Sequence, residues 1–309
     1  MRIYRQIKEY SSNCQPVATV GVFDGVHKGH LEIISRLSAT ARKKNCESVV
    51  ITFEPHPRLV LPHHAELKLL QTLEEKLYRF EMAGVDAVLV IPFDREFAKI
   101  TPRDFIKNVL VYNLHVSHVV TGYDHFFGQN RQGDFDLLTE MGKEFNFTVD
   151  ELPMVTVENS TVSSSTVRRA LLDGEVNLAA TMLGYNYSIT GEVVTGNKIG
   201  RNIGYPTANI KPNNDHKLVP GQGVYATLVT INGQIYKGMT NIGYRPTIDA
   251  NHLTIEVNIF NFNRDIYNQD ITLSFIERIR NEKRFASLGD LQLQLSNDKI
   301  VAETLLHSF

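Results

Sequence analysis

The sequence is poor in cysteine. Cys14 and Cys46 are the only two among 309 residues, too few for a disulfide scaffold or a cysteine-rich zinc site. They read as two free thiols in a reducing compartment. An excess of either charge is also lacking: Lys and Arg number 32, Asp and Glu 34, for a net charge of −2. A bulk basic footprint for nucleic acid or anionic membrane is thereby excluded, although a local patch is not. No stretch approaches the ~18 consecutive apolar residues of a membrane helix. The first residues, Met1 to Gln6, run into polar sequence without an apolar signal core. Low-complexity tracts and internal repeats are missing as well. The expectation is a compact cytoplasmic protein with no membrane or nucleic-acid partner. The chain exceeds the ~250–300 residues at which a single core stops growing, so two domains are expected.

What is present changes character along the chain. In the first half, short apolar runs alternate with amphipathic stretches. Strands are expected at Val17–Phe23, Ser48–Phe53, Val85–Ile91, His118–Thr121 and Phe147–Val157. Helices are expected at His30–Lys44, with Leu31, Ile33, Ile34, Leu37 and Ala41 in its apolar stripe, and at Leu73–Met82. Thr101-Pro102 signals a further helix start, a hydroxyl cap followed by proline. Strands separated by helices imply a parallel sheet covered on both faces, with ligands bound beyond the carboxyl ends of its strands. From Tyr187 onward β-branched residues and turns dominate. Strands are expected at Tyr187–Val194, Val224–Ile231, Gln234–Met239, Leu253–Phe260 and Ile271–Ile276, with a helix at Leu288–Leu306. Asn232-Gly233 between two of them is a tight hairpin signal. A small antiparallel barrel closed by a terminal helix fits this pattern.

The most informative segment is Gly21-Val22-Phe23-Asp24-Gly25-Val26-His27-Lys28-Gly29-His30. It follows a predicted strand and opens a predicted helix, where small residues admit a ligand and helix N–H groups favour phosphate. His27 and His30, three apart, can face one anion and stabilise charge on a leaving group. Metal ligation or plain surface histidines are the other readings, but no further ligands stand at a recognisable spacing. Asp24 can fix the loop through backbone N–H groups. Farther on, Ser163-Ser164-Ser165-Thr166 precedes Arg168, so hydroxyls, N–H groups and a guanidinium can point at an anion. The same serines could be a good helix cap and nothing more.

The decapeptide resembles the His-x-Gly-His signature of the nucleotidyltransferase superfamily, and in particular the N-terminal half of prokaryotic bifunctional riboflavin kinase/FAD synthetases. Phe53-Glu54-Pro55-His56-Pro57, Gly122-Tyr123-Asp124-His125-Phe126-Phe127-Gly128 and Val162–Arg168 agree with later segments of that family. The resemblance implies a Rossmann-like nucleotidyltransferase domain over residues 1–185 that joins FMN to the adenylyl group of ATP. It implies ATP contacts at Gly21, Phe23, Asp24, His27, Gly29, His30, Ser164, Ser165 and Arg168, with His27, His30 and Arg168 catalytic. Flavin contacts are implied at Phe53, Pro55, His56 and Asp124. Phe126 departs from the family, which often has Arg there, and Ser165 stands where Thr is usual.

The second half carries Gly196-Asn197-Lys198-Ile199-Gly200-Arg201-Asn202-Ile203-Gly204-Tyr205-Pro206-Thr207-Ala208-Asn209. It is not a Walker loop, because the Gly-Lys-Ser/Thr ending is absent. Pro206–Asn209 resembles the riboflavin kinase signature, which implies ATP contacts at Gly200, Thr207 and Asn209 and Mg²⁺ held by Thr207 and Asn209. Hydroxyl and amide oxygens are suitable hard ligands for it. Glu256 lies inside an apolar strand run. Taken alone it could be a solvent-facing strand residue. The resemblance makes it the base that takes the proton of the riboflavin 5′-hydroxyl. Arg280 and Phe285 match flavin-side positions, although a basic stretch beside a helix is also an ordinary solvated face. Asn268 stands where the family has Gly, and Asn tolerates the same positive φ. The resemblance therefore implies a riboflavin kinase domain over 186–309, with riboflavin, FMN and ATP as small-molecule partners and FAD as the final product. A chain with one working half, or a flavin-binding regulator without turnover, are the competing readings. The second is disfavoured by a poised carboxylate and paired histidines, for which a mere binder has no need.

Overall fold

The computed structural model describes residues 1–61, 67–123, 126–129, 132–157, 160–196, 200, 204–246 and 251–309. Contacts divide the chain into two compact units, Met1–Ser164 and Ser165–Phe309. The expected functional boundary near residue 185 lies beyond that division.

The first unit is built on six strands, β1 (Arg2–Tyr4), β2 (Val17–Val20), β3 (Ser48–Glu54), β4 (Ala87–Pro92), β5 (His118–Gly122) and β6 (Thr148–Leu152). They form one sheet in the order β1-β4-β3-β2-β5-β6, with every pair parallel. The inner strands are apolar on both faces, as a sheet covered twice requires. Alternate residues serve opposite layers. Ala18, Val20, Val49 and Ile51 join Phe105, Leu110, Leu138 and Met141 in one core. Val17, Val50 and Val88 join Ile34, Leu37, Leu77 and Phe80 in the other. The covering helices are α1 (Lys28–Lys43), α2 (Pro57–Val60), α3 (Leu73–Met82), α4 (Pro102–Phe105) and α5 (Phe135–Phe145), α4 running on into a π-wound segment at Ile106–Asn113. The chain leaves β2 toward β3 and β4 on one side and returns to β5 and β6 on the other. The order thus reverses between β2 and β5, the switch point at which open α/β sheets bind ligands.

Several details differ from the sequence-based reading, among them β2, which ends at Val20 rather than Phe23. The expected strand Phe147–Val157 ends at Leu152, and Thr156–Val157 forms β7, which pairs with β8 (Ser160–Thr161). Helix α1 begins at Lys28 rather than His30, because His27 is its cap. Strand β1 and helices α2 and α5 have no counterpart in the expected elements.

In the second unit, α6 (Ser164–Leu172, its first residue belonging to the other unit) and α7 (Val176–Leu183) precede six strands. These are β9 (Ser188–Val194), β10 (Ala208–Pro212), β11 (Gly223–Ile231), β12 (Gln234–Pro246), β13 (Asn251–Ile259) and β14 (Asp270–Arg280), closed into a barrel in the order β10-β13-β12-β11-β14-β9. Closure by β9 against β10 leaves no open edge. Asn232 and Gly233 adopt φ of +49° and +79° at the hairpin that pairs Ile231 with Gln234, as expected. The C-terminal helix α8 (Leu288–Leu305) buries Ala302 beside Ala226, Met239, Phe260 and Leu306. Its Ile300 stays exposed. The Arg278 guanidinium donates to the Asp173 carbonyl at 3.1 Å, and Gly221 N–H to Leu171 at 2.8 Å, which ties the end of α6 to the barrel.

Candidate functional site

At the carboxyl end of β2 the chain turns sharply. Phe23 and Val26 are non-glycine residues in the left-handed region, at φ of +52° and +31°, with Gly25 between them at +90°. Each strained residue costs about 1–3 kcal/mol and persists only where its surroundings over-determine it. The surroundings here are polar and specific. The buried Asp24 carboxylate accepts the N–H groups of Leu70, at 3.0 and 3.1 Å, and Gln71, at 3.1 Å. Its carbonyl accepts the Ser164 hydroxyl at 2.8 Å. The Val22 carbonyl accepts Lys76 Nζ at 2.9 Å and the Thr52 hydroxyl at 3.2 Å. Gly21 is required for space, since a Cβ there would lie 2.8 Å from the Phe23 ring, which folds back over it.

The turn delivers His27 to the N-terminus of α1, where its Nδ1 accepts the His30 N–H at 3.3 Å. The two imidazoles stack, centroids 3.6 Å apart and planes 15° from parallel. The Phe23 ring meets His30 edge-on at 5.0 Å. Gly29 lies in the first turn of α1. The structure therefore brings Gly21, Phe23, Asp24, His27, Gly29 and His30 together with Ser164. Ser165 and the half-buried Arg168 follow Ser164 on α6. Of the residues matched to flavin, Phe53 is buried among Phe93, Phe97 and Phe105. The His56 side chain caps α2 by accepting Arg58 N–H at 3.1 Å, and Pro55 is exposed. Asp124 lies outside the described residues, and Phe126 is 45% exposed.

Lys76 escaped the sequence reading. Its side chain is 4% exposed. Burial lowers its pKa, opposed by the charges of Asp24 and Glu54, and burial in turn raises that of Glu54. A signal was present: Lys76 stands with Leu73, Leu77 and Phe80 at the three- and four-residue steps of a core-facing stripe, where a cation needs a reason.

In the barrel, β10 and β13 run antiparallel with Asn209 directly opposite Glu256. On the other side of Glu256 stands Asn241 of β12. The Thr207 hydroxyl donates to Glu256 Oε2 at 3.3 Å. Asn258, two residues along the same face and missed from sequence, donates to the Pro206 carbonyl at 2.7 Å and so fixes the residue before Thr207. A Cβ on Gly196 would collide with the Asn209 amide, so that glycine admits the side chain. The Gly200 carbonyl accepts Tyr205 N–H at 2.8 Å. Beside Thr207 opens a cavity of about 200 Å³, lined by Val193, Pro206, Val257, Ile259, Ile266 and Tyr267 among others. Arg264 at its rim stacks on Phe262 and Tyr236 and donates to the Tyr236 hydroxyl. Asn268 sits at φ +59° and donates its N–H to Val193, so the turn survives without glycine. Arg280 is held by Asp298 and lies over the Phe285 ring at 5.7 Å.

Among the described residues no three His, Cys, Asp or Glu side chains cluster as metal ligands. Mg²⁺, however, takes few protein oxygens and relies on substrate phosphates. The hydroxyl of Thr207, the amide oxygen of Asn209 and the neighbouring carboxylate suit it as donors.

A parallel sheet with stacked histidines at its switch point, and a barrel with a carboxylate beside a hydroxyl and a cavity, define a two-unit transferase that draws on nucleotides. Comparison with known proteins names the kind. The family model for FAD synthetase matches residues 9–166, and that for riboflavin kinase matches 183–306. The bifunctional riboflavin kinase/FMN adenylyltransferase of Haemophilus influenzae is 39% identical over 94% of this chain and 94% of its own. That of Escherichia coli K12 is 38% identical over 98% and 97%. A solved structure described as a macrolide-efflux protein from Streptococcus pneumoniae superposes with a TM-score of 0.88, at 33% identity over 97% of this chain and 98% of that one. Efflux is that protein's description. Among the described residues here, no helix is long and apolar enough to cross a membrane. The chain belongs to the bifunctional riboflavin kinase/FMN adenylyltransferase family. Its activities are the ATP-dependent phosphorylation of riboflavin to FMN and the adenylylation of FMN to FAD.

Proposed function

We propose that the two reactions divide between residues 1–185 and 186–309, and that the side chains described above perform them. In the kinase half, the Glu256 carboxylate takes the proton of the riboflavin 5′-hydroxyl as its oxygen attacks the γ-phosphorus of ATP and ADP leaves. The observation that carries this reading is the Thr207–Glu256 contact at 3.3 Å, with Asn209 opposite. A carboxylate next to two oxygen donors of the kind that suits Mg²⁺ supports the reading of Glu256 as the base. That ion, when bound by Thr207 and Asn209, supplies charge neutralisation on the phosphates. The adjoining cavity, lined by Arg264 and Asp265 as well as by aliphatic side chains, receives the adenosine end of ATP, which leaves the phosphates at Thr207 and Asn209. Gly200 belongs to the same ATP loop. Phe285 lies at the flavin side, with Arg280 beside it.

In the other half, the FMN phosphate is already an anion, so no side-chain nucleophile is needed. Its oxygen attacks the α-phosphorus of ATP and pyrophosphate leaves. Catalysis is then positioning and charge stabilisation by His27 and His30, with Ser164, Ser165 and Arg168 gripping phosphate. Asp24 builds the loop rather than the chemistry, because its carboxylate is engaged by the N–H groups of Leu70 and Gln71. Phe53, Pro55, His56 and Asp124 form the flavin side of this half. The cytoplasm, with its ATP and reducing thiol pool, is where we place the protein.

The deciding experiment is Glu256→Gln in the full chain. FMN formation from riboflavin falls by about 100-fold or more, while FAD formation from supplied FMN persists. Undiminished FMN formation refutes the base. Loss of FAD formation from FMN refutes the division of labour.

A further inference from the structure

The strained turn after β2 needs restraints, and one of them is costly. Lys76 is almost fully buried, and holding an ammonium away from water is expensive unless it does something a neutral side chain cannot. The packing of α3 does not require it, since Leu73, Leu77 and Phe80 already supply the apolar stripe. Its nitrogen is directed instead at the Val22 carbonyl, 2.9 Å away, shared with Thr52. The charges that face it are Asp24, from the same turn, and Glu54, at the end of β3. Two residues further along that turn, Asp24 is clasped by the N–H groups of Leu70 and Gln71, which lead directly into α3. One helix entry therefore grips the turn on both sides of Phe23, the left-handed residue whose ring abuts His30. The turn ends at His27, the cap of α1.

We propose that Lys76 is a positioning residue for adenylyl transfer: by holding the Val22 carbonyl it fixes the strained turn and so aims His27 and His30. The proposal rests on the reading that these histidines act on the ATP phosphates. Lys76 itself touches no substrate. Its effect is a matter of placement, where a shift of about 1 Å suffices for a 100-fold loss in rate.

The experiment compares Lys76→Met, Lys76→Arg, His27→Ala and His30→Ala in the full chain. It measures FAD formation from FMN and ATP, with riboflavin phosphorylation by the same preparations as an internal control. Lys76→Met lowers kcat for FAD formation about 100-fold with KM for ATP within about threefold, because a positioning defect appears in the transition state. Lys76→Arg keeps the charge and recovers at least about tenfold of that loss. Phosphorylation of riboflavin is unchanged in both variants. A kcat within about threefold of the parent, or a loss carried by KM alone, overturns the proposal. So does a loss that Lys76→Arg shares in full. If Lys76→Met shows no cooperative thermal transition, Lys76→Arg decides alone: it supports the proposal if it is markedly more active than His27→Ala, and overturns it otherwise. An intact Lys76→Met beside impaired histidine variants sinks Lys76 only. A defective Lys76→Met beside fully active His27→Ala and His30→Ala sinks the histidine reading and the proposal together.

Discussion

Arg280, at the end of β14, clasps Asp298 of α8 with two of its nitrogens: Nε lies 2.9 and 3.0 Å from the carboxylate oxygens and Nη2 lies 2.7 Å from Oδ2. Gln294, one turn earlier on α8, adds a third donor at 2.8 Å, and Asp298 is 1% exposed. A guanidinium matched to the flavin side is thus also the pin that fastens the terminal helix to the barrel. Nη1 donates to the Asn281 carbonyl at 3.0 Å, which shapes the segment leading to Phe285.

Asp298→Ala should therefore damage stability before chemistry. Removing one partner of a buried pair leaves the other uncompensated, and costs about 3–5 kcal/mol in well-buried cases. Arg280 keeps some water, so about 3 kcal/mol is expected. Denaturant unfolding should show the barrel transition moving to lower concentration, and FMN formation should fall with it. FAD formation from supplied FMN should hold. A variant as stable as the parent would show that α8 is fastened by its apolar contacts alone.

The kinase site offers a graded series. Thr207→Val keeps the shape but removes the hydroxyl that donates to Glu256, and should lower kcat for FMN formation about 100-fold. Asn258→Ala acts one step back, by releasing the Pro206 carbonyl. That carbonyl loses its hydrogen bond at a cost of about 1–3 kcal/mol, and kcat/KM for ATP should drop about tenfold. Steady-state kinetics with ATP as the varied substrate separates the two. Equal effects of both substitutions would mean that Thr207 acts only through its backbone.

The elements that read clearly from sequence were those whose signal is local. Strands β2 to β5 announce themselves as β-branched runs, and Asn232-Gly233 sets its own hairpin because both residues accept positive φ. The turn from Gly21 to His30 was visible through its glycines and histidines. What the sequence concealed depends on partners far along the chain. Strand β1 has only three residues and exists because β4 pairs with it. Strand β10 lies after a glycine-rich stretch that reads as loop, and is defined by β9 and β13. Lys76 sits behind Glu74 and Glu75 and looks like an ordinary solvated lysine until Val22, 54 residues earlier, is folded against it. His56 likewise gives no sign in sequence that its Nδ1 caps a short helix.

The dual position of His27, cap and candidate catalyst, can be split by two substitutions. His27→Ala removes the acceptor for His30 N–H and should destabilise the first unit by about 1 kcal/mol, the usual worth of an N-cap. His27→Asn restores a good capping side chain without an imidazole. Its stability should return to that of the parent, while FAD formation stays about 100-fold down in both variants. Thermal melting beside adenylyl-transfer assays makes the comparison. Recovery of activity in His27→Asn would reduce His27 to a cap.

His118 opens β5 with Nδ1 2.6 Å from the Thr148 hydroxyl and Nε2 3.5 Å from Asp150, which also pairs with Arg36 at 2.8 Å. Burial pushes its pKa below the ordinary 6.5; Asp150 opposes this, while Lys44 and Arg36 reinforce it. The native state therefore holds a neutral imidazole where the unfolded chain would take up a proton. The stabilisation from that difference is fully present above 6.5 and is lost as pH falls through the lower native value. His118→Gln cannot titrate, so its stability should depend less on acid. Denaturant midpoints for parent and variant, taken between about pH 7.5 and pH 5, should converge as the pH drops. Divergence on acidification, with the parent gaining on the variant, would mean that Asp150 outweighs burial and the folded protein carries His118 as a cation.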